Sequence, residues 1–120
     1  MYLLEIDRTQ NRIHITLSDR VDEAQTKALL DELRLRVGEL EPGFRILCDM
    51  TTLEEFNESA GVHYRSVMDL CNEANVSKII RIIPNPIHNF GLTVMSHFHY
   101  NSGIPVVICK DFNEALRHLK

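Results

Sequence analysis

Hydrophobic positions along this chain follow two periods and switch between them several times. Over Arg12–Ser18 they alternate: Ile13, Ile15 and Leu17 fall on one face, Arg12, His14 and Thr16 on the other. A period of two with one polar face predicts a strand with one wet side. Tyr2–Asp7 predicts a strand before it, with "TQN" at 9–11 as the turn. The two runs are too close for a helical crossover, so an antiparallel hairpin is expected. From Asp22 the period becomes helical, through Val21, Ala24, Ala28, Leu29, Leu33, Val37 and Leu40. Asp22 is placed to cap this helix with Gln25 in capping-box position, and Gly38 and "EPG" at 41–43 end it. "FRILCDM" predicts a central strand, and Ala60, Tyr64, Val67, Met68, Cys71 and Ala74 a second helix.

The run "KIIRII" at 78–83 is apolar without alternation, which predicts a strand covered on both faces, with Ile79, Ile80, Ile82 and Ile83 all buried. "PNP" at 84–86 stops it. Ile87, Phe90, Val94 and Phe98 space as a third helix, and "NSG" at 101–103 turns the chain into the strand "IPVVIC". In "DFNEALRHL", Asp111 caps a last helix, Glu114 completes the box, and Phe112, Ala115, Leu116 and Leu119 face inward. The order ββαβαβαβα implies an α/β fold, with parallel strands joined by right-handed crossovers behind an opening hairpin. The expectation is a mixed sheet of about five strands backed by about four helices, as a single domain over residues 1–120.

Composition narrows the function classes. The 120 residues suit one core, and 44% hydrophobic with 25% charged residues is an ordinary globular balance. A net charge of -4 with no Lys/Arg run lacks the footprint of a nucleic-acid binder. No apolar run is long enough for a membrane span. "MYLLEIDRTQ" has no basic segment before an apolar one, so it reads as a strand and not a signal peptide. Cys48, Cys71 and Cys109 are odd in number and far apart, which predicts reduced core thiols in a cytoplasmic protein.

Candidate chemistry is thin. Of the histidines His14, His63, His88, His97, His99 and His118, only "HFH" at 97–99 is tight. Positions two apart on a helix diverge, and no Cys stands at ligand spacing, so no metal site is expected. Ser59 has no G-x-S-x-G frame. His63 follows it by one helical turn, yet no oxyanion hole or orienting acid accompanies the pair. Asp49, Glu54, Glu55 and Glu58 read as a solvated face, three of them in a loop. None of the five glycines forms a phosphate loop, and no cofactor is expected. Asp49 and Lys110 occupy strand ends as in a phosphate receiver, but a receiver does not open with a hairpin. The expectation is a protein that is not an enzyme.

The stretch "DMTTLEEFNESAG" nevertheless collects Asp49, Thr51, Asn57, Glu58 and Ser59 between a strand and a helix. It resembles the STAS family, the sulfate-transporter and anti-sigma-factor-antagonist domain typified by SpoIIAA-like proteins. The family pattern is D-L-S followed by D-S-S-G. Asp49, Met50 and Thr51 match the first part, and Asn57, Glu58, Ser59 and Ala60 fall on the second. The acid of the second part is Asn57 here, its first serine is Glu58, and its glycine is one place on, at Gly61. The resemblance covers nearly the whole chain through the order of elements. With its hairpin, long first helix and "PGFRILCD" strand, the chain looks closer to the uncharacterised SpoIIAA-like branch than to a working antagonist.

The resemblance implies a bacterial regulatory module that docks an anti-sigma or kinase-like protein. It places the phosphoacceptor at Ser59 and the docking surface at Asp49, Thr51, Asn57, Glu58 and His63. A phosphate on the first turn of a helix meets free N–H groups and the positive dipole end. The simpler reading is that Asn57 caps the helix and Ser59 is a first-turn polar residue. The wider superfamily includes lipid-carrying domains, which implies as the alternative a carrier or sensor of a small apolar ligand, lined by Phe90, Met95 and Phe98. A homodimer packed through the hairpin or the helix faces is a third reading.

Overall fold

The computed structural model describes residues 1–56, 59–83 and 103–119. Strands β1 (Tyr2–Asp7) and β2 (Arg12–Leu17) open the chain, followed by a short β3 (Asp19–Val21) and helix α1 (Glu23–Arg36). After a 3₁₀ turn at Val37–Glu39 come β4 (Arg45–Asp49), β5 (Leu53–Phe56) and α2 (Ala60–Glu73). Then follow β6 (Lys78–Ile82), β7 (Val106–Cys109) and α3 (Phe112–His118). The helix expected around Phe90, with the apolar-ligand candidates Phe90, Met95 and Phe98, lies outside the described residues.

Five strands form one mixed sheet in the order β1-β2-β4-β6-β7. The expected hairpin is present, with Leu4 opposite Ile15 and Asp7 opposite Arg12, and the other neighbours run parallel. Alternate strand residues sort to the two faces as the pleat requires. Ile13, Ile15, Leu17, Ile46, Cys48, Ile79 and Ile83 pack against α1 and α2. Leu47, Ile80, Ile82 and Cys109 pack against Ala115 and Leu119 beside α3. All four isoleucines of the "KIIRII" run are buried, as the two-sided expectation requires.

The described helices keep their predicted places with local corrections. In α1 the inward positions are Thr26, Leu29, Leu30 and Leu33, while Ala24 and Ala28 are exposed. The apolar stripe is thus centred on Thr26 and Leu30, because Thr26 buries its hydroxyl on the carbonyls of Asp22 and Glu23. Asp22 accepts from the Gln25 amide at 2.9 Å, so the cap forms, but the Gln25 side chain turns instead to the amino group of Met1. At α3, Asp111 accepts from the Glu114 amide at 2.8 Å, and the Glu114 carboxylate reaches the Lys110 amide. Phe112 and Leu116, expected inward, are 45% and 40% exposed, and Phe112 stacks on His14 across the sheet surface.

Cys48, Cys71 and Cys109 are free and buried. Burial pushes the Cys71 thiol from 9.0 up to about 12. A thiol held neutral by folding contributes fully below its unfolded value, and that contribution is lost as pH rises through the folded value. Stability should therefore decline between pH 9 and 12. Thermal melts across that window should fall less steeply for Cys71→Ala than for the wild type; parallel curves would remove Cys71 from the effect.

Candidate functional site

Four parallel strands finish along one edge of the sheet, where open α/β sheets place ligand and partner sites. β4 leaves that edge at Asp49, which is in register with Thr16 of β2 and Ile82 of β6. The Asp49 carboxylate accepts from the Thr51 amide at 2.9 Å and from the Thr51 hydroxyl. This is an Asx turn, in which a short carboxylate closes the bend that the backbone would otherwise leave open. Met50, between them, is buried, and its amide donates to the Ile82 carbonyl at 3.0 Å, which fixes the turn to β6.

The chain beyond the turn is not the loop expected from sequence. Leu53–Phe56 forms β5, which pairs in parallel with β3 as a separate two-stranded sheet. Asp19 enters this pair with φ 56 and donates its amide to the Thr52 carbonyl at 3.0 Å. Glu54 and Glu55 are exposed strand residues, and Glu55 meets Arg20 at 2.8 Å. An exposed pair of this kind contributes little stability, at most about 1 kcal/mol. Phe56 does more for the architecture: it meets the ring of Tyr64 edge-on, with centroids 5.6 Å apart.

Beneath α2 lies a polar group that sequence reasoning passed over. Arg81 is fully buried in the centre of β6, flanked in register by Cys48 of β4 and Ile108 of β7. Its Nη2 donates to the Tyr64 hydroxyl at 3.2 Å, and the guanidinium carbon lies 5.7 Å from the Tyr64 ring centre. The Cys48 sulfur is 4.0 Å from the same hydroxyl. Burial raises the Tyr64 phenol and the Cys48 thiol, and the Arg81 charge offsets part of each rise. With the Tyr64 phenol and the Cys48 thiol held neutral, the contact to Arg81 ties α2 to the middle of the sheet. The sequence did carry a signal for it. Position 81 shares its face with Ile79 and Ile83, and a tyrosine on the inward stripe of α2 needs a partner for its hydroxyl.

On this base stands the start of α2. Ser59 immediately precedes the helix, with φ -62 and ψ -26; it is exposed, and its hydroxyl makes no capping hydrogen bond. Asp49 and Thr51 are brought together by the turn. His63 is directed elsewhere: its Nε2 lies 3.3 Å from Glu23 Oε1, linking the first turns of α1 and α2. Asn57 and Glu58 lie outside the described residues. Val62 was not anticipated. It is 65% exposed, one turn after Ser59 and off the buried stripe of α2, so the surface around Ser59 has an apolar component.

No family model matches the chain, and no curated protein matches it. Solved structures do. An uncharacterised protein from Shewanella loihica with a SpoIIAA-like fold superposes with a TM-score of 0.74 at 15% identity, over 99% of this chain and 94% of that one. The anti-sigma factor antagonist SpoIIAA in its unphosphorylated form gives 0.65 at 15% identity, over 98% and 96%. An anti-sigma factor antagonist from Mycobacterium paratuberculosis gives 0.61 at 10% identity, over 99% and 94%. The chain has the SpoIIAA-like α/β fold of the STAS domain, as the junction motif had suggested. Identity this low carries the fold and not the activity.

Proposed function

We propose that this protein is a non-enzymatic regulatory module that docks a partner protein through the junction between β4 and α2. In this reading, phosphorylation of Ser59 releases the partner. The observation that carries it is the position of Ser59: an exposed, uncapped hydroxyl before a 14-residue helix. The Asx turn of Asp49 and the buried Tyr64–Arg81 contact hold the surface around it in place. Two of the similar folds are named anti-sigma factor antagonists, which favours an anti-sigma or kinase-like protein as the partner class.

The physics of the switch is electrostatic. A phosphoryl group adds about -1.5 to -2 charges. Helix N–H groups and the helix dipole tolerate that charge on the free protein. A partner surface that must desolvate it does not. Val62 supplies the apolar contact that a docking surface needs near its centre.

The docking surface is tested at Val62, which can be changed without disturbing the core. Partners captured from the native host with wild-type bait are identified, and their affinity is measured against Val62→Lys. A loss of at least tenfold is expected. An unchanged affinity, with the variant folded, would place docking elsewhere.

A further inference from the structure

We infer that β1 is a self-association edge, through which two copies of this chain join their sheets about a two-fold axis. The inference concerns a different surface from the Ser59 junction and does not depend on that reading. Among the described residues β1 is the outermost strand of the five-stranded sheet. It is six residues long and carries no proline.

Its hydrogen-bonding parity is fixed. The Ser18 amide donates to the Met1 carbonyl at 2.9 Å, so Met1 and Ser18 form a hydrogen-bonded pair of the antiparallel ladder. Bonded pairs recur every second residue, at Leu3–Thr16, Glu5–His14 and Asp7–Arg12. The backbone groups of Tyr2, Leu4 and Ile6 therefore point away from β2, toward the free edge. A second β1 can engage all three sets in one antiparallel register, with Leu4 opposite Leu4 and Tyr2 opposite Ile6. That register makes about six inter-strand hydrogen bonds and is its own mate under a two-fold axis. Shifting it by two residues loses a bonded pair.

Side chains agree with the same register. On the α1 side, Tyr2 and Ile6 are half-buried and Leu4 is buried, so apolar meets apolar across the axis. On the other side, Leu3, 54% exposed, falls opposite Glu5 of the second copy, and Glu5 never faces Glu5. An edge strand shielded against pairing would carry opposed like charges or a proline. The helices add to the fit. The Tyr2 hydroxyl donates to Glu32 of α1 at 3.0 Å, so α1 follows β1 to the axis. One turn to either side of Glu32 stand exposed Ala28 and Leu35, the latter 85% exposed and without a role in the core of one chain. Two α1 helices side by side would cover both.

Sedimentation equilibrium on the purified full chain tests the edge and its register together. The wild type should be a dimer. Leu3→Glu places carboxylate against carboxylate twice per dimer and should raise the dissociation constant about tenfold, whereas Leu3→Lys creates two opposite-charge pairs and should lower it by a similar factor. Ile6→Pro removes an outward N–H and shortens a half-buried side chain but leaves every bond from β1 to β2, a change that edge strands accept; it should give a folded monomer by circular dichroism. If Ile6→Pro does not fold, the two Leu3 variants decide. A monomeric wild type overturns the inference, and so does a dimer whose dissociation constant is the same for Leu3→Glu and Leu3→Lys.

Discussion

Arg81→Ala should lower the unfolding free energy by about 3–5 kcal/mol, in the range of the largest core truncations. The residue is among the largest fully buried side chains, and it sits where the sheet meets α2. Truncation leaves a cavity under Tyr64, removes the donor to its hydroxyl, and ends the cation–π contact. Arg81→Lys should recover little. A compact ammonium cannot both face the ring and donate to its hydroxyl through a spread fork of N–H groups as a guanidinium does. Arg81→Met should cost less than alanine, since it fills most of the volume and brings no charge to desolvate. Urea unfolding of the three variants gives the order Met above Lys and Ala. A loss below about 1 kcal/mol for alanine would mean that α2 is held by its apolar stripe alone.

Most of the main sheet was legible because its strands are written in unambiguous patterns. Arg12–Leu17 alternates through six residues, and "KIIRII" has no polar face at all. The second helix was legible to the level of its stripe, from Ala60 through Cys71. Legibility failed where elements are short or where one residue breaks a pattern. β3 and β5 have three and four residues and carry Arg20, Glu54 and Glu55, too few positions for a period to emerge from charged side chains. Thr26 concealed the true stripe of α1 because its hydroxyl is satisfied within the helix. Arg81 drew no reading of its own within "KIIRII", although Tyr64, whose hydroxyl it meets, falls on the inward stripe of α2. At the junction, residue type singled out Asp49 and Thr51, but the Asx turn that joins them was not foreseen. Nor was the Glu23–His63 link, since it joins positions forty residues apart.

Ser59→Asp should weaken partner binding about 100-fold or more, and Ser59→Ala should leave it within about tenfold of wild type. The serine hydroxyl makes no capping hydrogen bond, so its removal costs the free protein nothing there. In the complex the hydroxyl contributes at most one hydrogen bond, about 0.5–1.5 kcal/mol. The aspartate, in contrast, brings a charge that must be desolvated in the interface without a partner, at a cost of several kcal/mol. Stability moves the other way. A carboxylate before the first turn of α2 favours the helix dipole by about 0.3–1 kcal/mol, so Ser59→Asp should melt at or above the wild-type temperature. The decisive measurement is the affinity of one purified partner for wild type, Ser59→Ala and Ser59→Asp, titrated side by side with their melting temperatures. A regulatory junction at β4–α2 predicts strong binding to the first two and a folded but non-binding aspartate variant. Equal affinity for all three would contradict it and take Ser59 out of the interface.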